Sequence, residues 1–131
     1  MSRTVLIIED NEQNRYLATF LLERHGYRVT AASDGPGGIE LARSLAPDLI
    51  LLDIQLPKMD GHAVARALRD IPELRATPVI AVTSYAMVGD REKSLAAGCT
   101  GYIEKPINPE TFISDIESFA PPPPSAGHSS P

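Results

Sequence analysis

The chain has 131 residues, a length that predicts one domain with a core large enough to fold without staples. Its 43% hydrophobic content excludes disorder of the whole chain, and its net charge of −5 argues against a direct nucleic-acid binder, which needs a basic footprint. The single cysteine, Cys99, excludes an internal disulfide framework and fits a reducing compartment. Met1 to Thr4 leads straight into a strand-like run. No signal peptide and no membrane-length apolar stretch is visible, so the expected setting is cytoplasmic, without membrane insertion.

Val5 to Ile8 forms the first predicted strand, which stops at Glu9-Asp10. A helix follows from about Glu12, with Asn11 as its N-cap and Gly26 just past its end. Tyr16, Leu17, Phe20, Leu21 and Arg24 recur along it at helical spacing. Residues 27–32 read as the second strand. Ser33, Asp34 and Gly35 open a second helix carrying Ile39, Leu41, Ala42 and Leu45, which Pro47 ends. The third strand, Leu49 to Leu52, is apolar at every position, as a strand covered on both faces requires, and ends at Asp53.

A loop containing Leu56-Pro57 and Asp60-Gly61 precedes a third helix over 63–70, closed by Ile71-Pro72. The fourth strand, Val79 to Val82, is entered through Pro78 and ends at Thr83-Ser84. A fourth helix is expected over about 90–97, capped by Gly98. A short fifth strand near Gly101-Tyr102-Ile103 ends at Glu104-Lys105-Pro106. The last helix is expected to start near Pro109, with Phe112, Ile113, Ile116 and Phe119 as its apolar stripe.

Five βα units of these lengths imply an α/β fold. It is a doubly wound five-stranded parallel sheet in the order 2-1-3-4-5 with five helices. Residues 1–120 are expected to form the domain, and the Pro/Ser-rich stretch 121–131 a disordered tail or linker.

In such folds ligands bind at the carboxyl ends of the strands. Those ends carry Glu9-Asp10, Asp53, Thr83 and Lys105. Three carboxylates in one crevice are costly without a cation, and this number of oxygen donors suits Mg²⁺. A carboxylate can attack phosphorus, and phosphoryl transfer then needs mainly positioning and charge neutralisation. The strand ends therefore hold a nucleophile, a metal site, a cation and a hydroxyl donor.

The segments Ile-Glu-Asp-Asn (8–11), Leu-Leu-Asp-Ile-Gln-Leu-Pro (51–57), Met-Asp-Gly (59–61), Val-Thr-Ser-Tyr-Ala (82–86), Ala-Gly-Cys (97–99) and Tyr-Ile-Glu-Lys-Pro-Ile (102–107) occur in that order. Together they resemble the receiver domain of two-component response regulators over residues 3–119. The Asp-Asn-Glu-Gln-Asn run (10–14) and Tyr-Ala-Met (85–87) resemble stand-alone receivers of the cell-division and cell-polarity type. The resemblance implies the flavodoxin-like receiver fold and makes Asp53 the phosphoacceptor. It makes Asp10, Asp53 and the Gln55 backbone carbonyl the Mg²⁺ ligands, with Glu9 acting through water. It makes Thr83 the switch hydroxyl, Lys105 the phosphate-pairing lysine, Tyr102 the switch aromatic and Lys105–Pro106 a cis peptide. It implies a histidine kinase or histidine phosphotransfer protein as donor. Switching would remodel the surface of the fourth helix, fifth strand and fifth helix for a downstream protein target. The domain would be no enzyme beyond self-catalysed phosphotransfer and autodephosphorylation, whose rate positions 55 and 85 tune.

Three other readings compete. A Mg²⁺-dependent aspartyl phosphohydrolase usually carries a second carboxylate two residues after its nucleophile, where Gln55 stands. A flavin electron carrier needs a phosphate loop after the first strand, where Glu9-Asp10 would repel it. A phosphorylation-independent binding module of the same fold would not need the complete site. Outside the site, Cys99 reads as a buried packing residue, and Met59 and Met87 as loop or packing residues. His25 and His62 read as surface residues, His128 lies in the tail, and Arg66, Arg69 and Arg75 read as a solvated face and its flank. With no output domain after Phe119, output is expected through protein contact or a phosphorelay.

Overall fold

Five strands of five or fewer residues form a single parallel sheet in a computed structural model that describes residues 3–84 and 89–121. The elements are β1 (Thr4–Ile8), α1 (Glu12–Arg24), β2 (Arg28–Ala32), α2 (Gly35–Leu45), β3 (Leu49–Asp53), α3 (Gly61–Arg69), a 3₁₀ turn (Pro72–Leu74), β4 (Val79–Thr83), α4 (Asp90–Ala96), β5 (Gly101–Glu104) and α5 (Phe112–Phe119). The sheet order is β2-β1-β3-β4-β5, which is the expected doubly wound arrangement. The tail 122–131, Met87, His128 and Tyr85 fall outside the described residues.

Side-chain alternation divides the core in two. Val5, Ile7, Leu49, Leu51, Ile80, Val82 and Ile103 pack with Leu21 and Leu22 of α1 and with Phe112 and Ile116 of α5. Leu6, Ile8, Ile50, Leu52, Val79 and Ala81 pack on the other face, with Ala42 of α2 and Val64, Ala65 and Leu68 of α3. Every residue of β3 and β4 is buried, whereas the edge strand β2 is half exposed. That explains why 49–52 and 79–82 carry unbroken apolar runs. Each fully buried Leu or Ile contributes roughly 1.5–3 kcal/mol.

Several local expectations shift. In α1 the core face is Ala18, Leu21 and Leu22. Tyr16 and Phe20 lie on the opposite face, 71% and 44% exposed, and stack with ring centroids 6.4 Å apart. Helix α5 begins at Phe112 rather than near Pro109. Asn108 first builds a turn: its side chain accepts from Glu110 N and its carbonyl from Thr111 N and Phe112 N. Helix α2 ends on Ala46 in the left-handed region (φ 45°), ahead of Pro47.

Arg69 corrects the reading of a solvated basic face. Its Nε donates to Gly98 O (2.8 Å), and its Nη1 to Leu74 O (2.9 Å) and Thr77 O (2.7 Å). It thus ties α3 to the 3₁₀ turn and to the end of α4, satisfying carbonyls that helix ends leave open. Cys99 is a free, buried thiol, as expected of a packing residue. Burial pushes its pKa up to about 11, so it is protonated and unreactive at neutral pH.

Candidate functional site

The alternation that builds the core also aims the site. Glu9, Asp53 and Lys105 continue the parity of Val5/Ile7, Leu49/Leu51 and Ile103, and therefore emerge on the same face of the sheet. Asp53 ends β3, and Glu9 and Lys105 directly follow β1 and β5. The Lys105 ammonium lies 3.1 Å from Glu9 Oε1 and 3.3 Å from Asp53 Oδ2. All three side chains are largely buried, at 13% exposure for Lys105, 7% for Glu9 and 2% for Asp53. Asp10, one residue further along, is exposed at the mouth.

Loop geometry holds these groups in place. Asn11 caps α1, its Oδ1 accepting from Asn14 N at 2.9 Å, while its own N–H donates to Glu9 Oε2. Arg15 Nη1 donates to the carbonyls of Glu9 (2.9 Å) and Asp10 (3.3 Å), fixing the turn that carries both carboxylates. Gln55 N donates to Asp53 Oδ1 at 2.8 Å. Ile54 N extends the ladder to Val82 O, and Lys105 N to Thr83 O, so the strand ends stay in register past the last paired residue.

Gly61 lies against this loop. Its N–H donates to Ile54 O at 3.1 Å. A Cβ there would fall on Ile54 Cα, 2.7 Å from Ile54 O and 2.8 Å from Asp53 O. The glycine of Met-Asp-Gly is therefore required by close backbone approach.

Oxygen atoms of Glu9, Asp10 and Asp53 lie within 4.8 Å of one another. One ammonium cannot neutralise three carboxylates, and the excess charge is visible at Glu9. Burial first, and then the adjacent Asp53, push its pKa from 4.5 up to about 7, while Asn11 N–H and Lys105 pull it back. A set of hard carboxylate oxygens with one exposed member fits Mg²⁺, which binds few protein groups and keeps several waters.

The family model described as the response regulator receiver domain matches residues 5–117. The chain belongs to this family. The receiver is 47% identical over 119 residues to the polar-differentiation response regulator DivK of Brucella ovis, covering 91% of this chain and 97% of that protein. Among solved structures it resembles the chemotaxis response regulator CheY4 of Vibrio cholerae, with a TM-score of 0.87 and 28% identity over 91% of this chain and 99% of that one. It also resembles the receiver domain of sensor histidine kinase PA1611 from Pseudomonas aeruginosa, with a TM-score of 0.83 and 33% identity over 92% and 98%. That structure is described with a magnesium ion coordinated in its active site cleft.

Thr83 and Tyr102 occupy the other side of the receiver's strand ends. Thr83 is buried at the end of β4, on the parity of Val79 and Ala81, which faces α3 and α4. Tyr102 packs against the same cluster from β5. Burial, followed by the nearby charges of Asp90 and Glu104, pushes its hydroxyl pKa up. The Lys105–Pro106 peptide is cis. Gln55 lines the crevice together with Glu9, Asp10, Asp53, Ser84 and Lys105.

Two contacts escaped the sequence reading. The Gln55 side-chain carbonyl accepts from Ser84 N (3.0 Å) and Ser84 Oγ (2.8 Å), closing a clasp across the mouth. His62, expected at the surface, is 17% exposed and its Nε2 lies 3.1 Å from Ser94 Oγ of α4. Neither pairing leaves a mark in local sequence, because each joins two separate βα loops or helices.

Glu9 gives the receiver a pH dependence. A carboxyl whose folded pKa exceeds its unfolded value contributes stability that is fully present below pH 4.5 and lost as pH rises through about 7. In EDTA, wild-type protein is therefore expected to lose stability relative to Glu9→Gln between those limits. Urea midpoints measured across that range check this, and added Mg²⁺ is expected to reverse the wild-type loss.

Proposed function

We propose that this receiver takes a phosphoryl group onto Asp53 from a histidine kinase or histidine phosphotransfer protein in the cytoplasm. The observation that carries the reading is Lys105 Nζ within 3.3 Å of both Asp53 and Glu9, joining the ends of β1, β3 and β5. Asp10, Asp53 and the Gln55 backbone carbonyl would hold Mg²⁺ directly, and Glu9 through water. The ion would neutralise charge on the transferring phosphoryl oxygens.

The chain's own groups do the rest. An Asp53 carboxylate oxygen forms the new bond to phosphorus as the bond to the donor's leaving group breaks. Lys105 pairs with one phosphoryl oxygen and thereby releases its contact with the Asp53 carboxylate. The Thr83 hydroxyl donates to another and moves toward it, and Tyr102 fills the space it vacates. Both lie on the α4 side of the sheet, so the change reaches the surface of α4, β5 and α5, where a protein target binds. The Gln55–Ser84 clasp covers the route by which water reaches the acyl phosphate, which makes position 55 a tuner of autodephosphorylation.

Incubation with acetyl phosphate and Mg²⁺ tests this. The expected result is one phosphoryl group per chain, lost slowly, with none taken up in EDTA. Sustained turnover of a generic phosphate ester would instead favour a phosphohydrolase.

A further inference from the structure

Helix α4 is held to the domain in an unusual way. The side chain it buries is Ser94, 1% exposed, while the adjacent Leu95 is 44% exposed. Helices α1, α3 and α5 anchor themselves with apolar pairs, Leu21 and Leu22, Val64 and Leu68, and Phe112 and Ile116, while α2 lies close on Gly35, Gly38 and Ala42. Apart from Ala97 at its C-cap, α4 buries little apolar surface, and such an element opens or shifts cheaply. Among the described residues, its inward polar group is met by the His62 ring. His62 Nε2, from the first turn of α3, lies 3.1 Å from Ser94 Oγ, and His62 Nδ1 lies 3.8 Å from Asp60 Oδ2. The cleft beside this contact is lined by Thr83, Asp90 and Lys93 as well as His62 and Ser94. A displacement of Thr83 therefore acts on the same wall that the contact holds.

We infer that the His62–Ser94 hydrogen bond is a latch that keeps α4 in its resting position and sets how readily this receiver switches. The inference rests on the receiver reading above. His62 is a positioning residue, acting on the switch through α4. A hydrogen bond present in the resting state and absent in the switched state biases the equilibrium toward rest. Removing it raises the small switched population, and the apparent affinity of any ligand that selects that state rises by the same factor.

The probe is beryllofluoride with Mg²⁺, titrated by NMR against wild type, His62→Ala, Ser94→Ala and the double variant. Each single variant is expected to bind about two- to tenfold more tightly, the factor that one net hydrogen bond supplies. The double variant is expected to match the singles, because either change already removes the bond. Ser94→Ala is small and favourable in a helix, so it carries the test if His62→Ala does not fold. Affinities equal to wild type, with only the unfolding midpoint lowered, would overturn the latch. So would single effects that multiply in the double variant. A wild type that binds no beryllofluoride would instead sink the receiver reading, and the latch with it.

Discussion

Asp53→Asn is expected to abolish phosphoryl uptake from acetyl phosphate, a loss limited only by the detection floor. The carboxylate is the proposed nucleophile, and an amide of the same shape is a far weaker one. The substitution removes one negative charge from a buried group whose Oδ2 faces Lys105 and whose Oδ1 accepts from Gln55 N–H. An amide keeps an oxygen for one of these contacts, so the fold is expected to survive. Glu9 loses the like charge that helps raise its pKa, and Lys105 keeps Glu9 as its partner at 3.1 Å. The unfolding midpoint of Asp53→Asn in EDTA is therefore expected to match or exceed that of wild type. Mg²⁺ binding should weaken at least tenfold, because a proposed ligand has lost its charge (a factor equal to about 1.4 kcal/mol). Phosphoprotein gels and Mg²⁺ titrations check both halves. Undiminished labelling of the variant would move the acceptor elsewhere.

Gly61→Ala is expected to be the most damaging single-methyl change in the chain. The atoms that a Cβ would strike are the backbone of Asp53 and Ile54. A flexible side chain would swing aside, but this backbone is pinned. Ile54 N is bonded to Val82 O, and Asp53 is the last residue of a fully buried strand. Relief has to come from moving the start of α3, which would break the Gly61 N–H to Ile54 O bond and loosen Val64, itself fully buried. Overpacking of this kind costs roughly 1–3 kcal/mol, and the displaced hydrogen bond adds about 1 more. Urea unfolding measures the loss. Because the clash falls on the loop of the proposed phosphoacceptor, Mg²⁺ affinity is expected to fall in the molecules that remain folded.

Much of this architecture was legible in the sequence because two strong periodicities coincide with function. Leu49 to Leu52 and Val79 to Val82 are apolar throughout, since both faces of β3 and β4 are covered. Their polar terminators, Asp53 and Thr83, stand out against those runs. The strand order follows from five βα units, and the placement of Glu9, Asp53 and Lys105 follows from strand parity. What the sequence did not reveal lies between elements. Arg69 looks like any exposed helix arginine, and only the meeting of α3 with the 3₁₀ turn and Gly98 gives it carbonyls to bind. His62 and Ser94 are 32 positions apart on two helices, with nothing local to connect them. Tyr16 and Phe20 fit the helical period of α1 yet occupy its outer face, because Ala18 and Leu22, on the opposite side, face the sheet.

The central claim, that a phosphoryl group is carried on the carboxylate at the end of β3, has one most direct test. Protein treated with acetyl phosphate and Mg²⁺ is reduced with borohydride, which converts an aspartyl phosphate to homoserine, and its peptides are then sequenced by mass spectrometry. Homoserine in place of Asp53, dependent on Mg²⁺, is the predicted result. Homoserine at Asp10 or elsewhere, or an unmodified Asp53 in protein that carries phosphate, would contradict it.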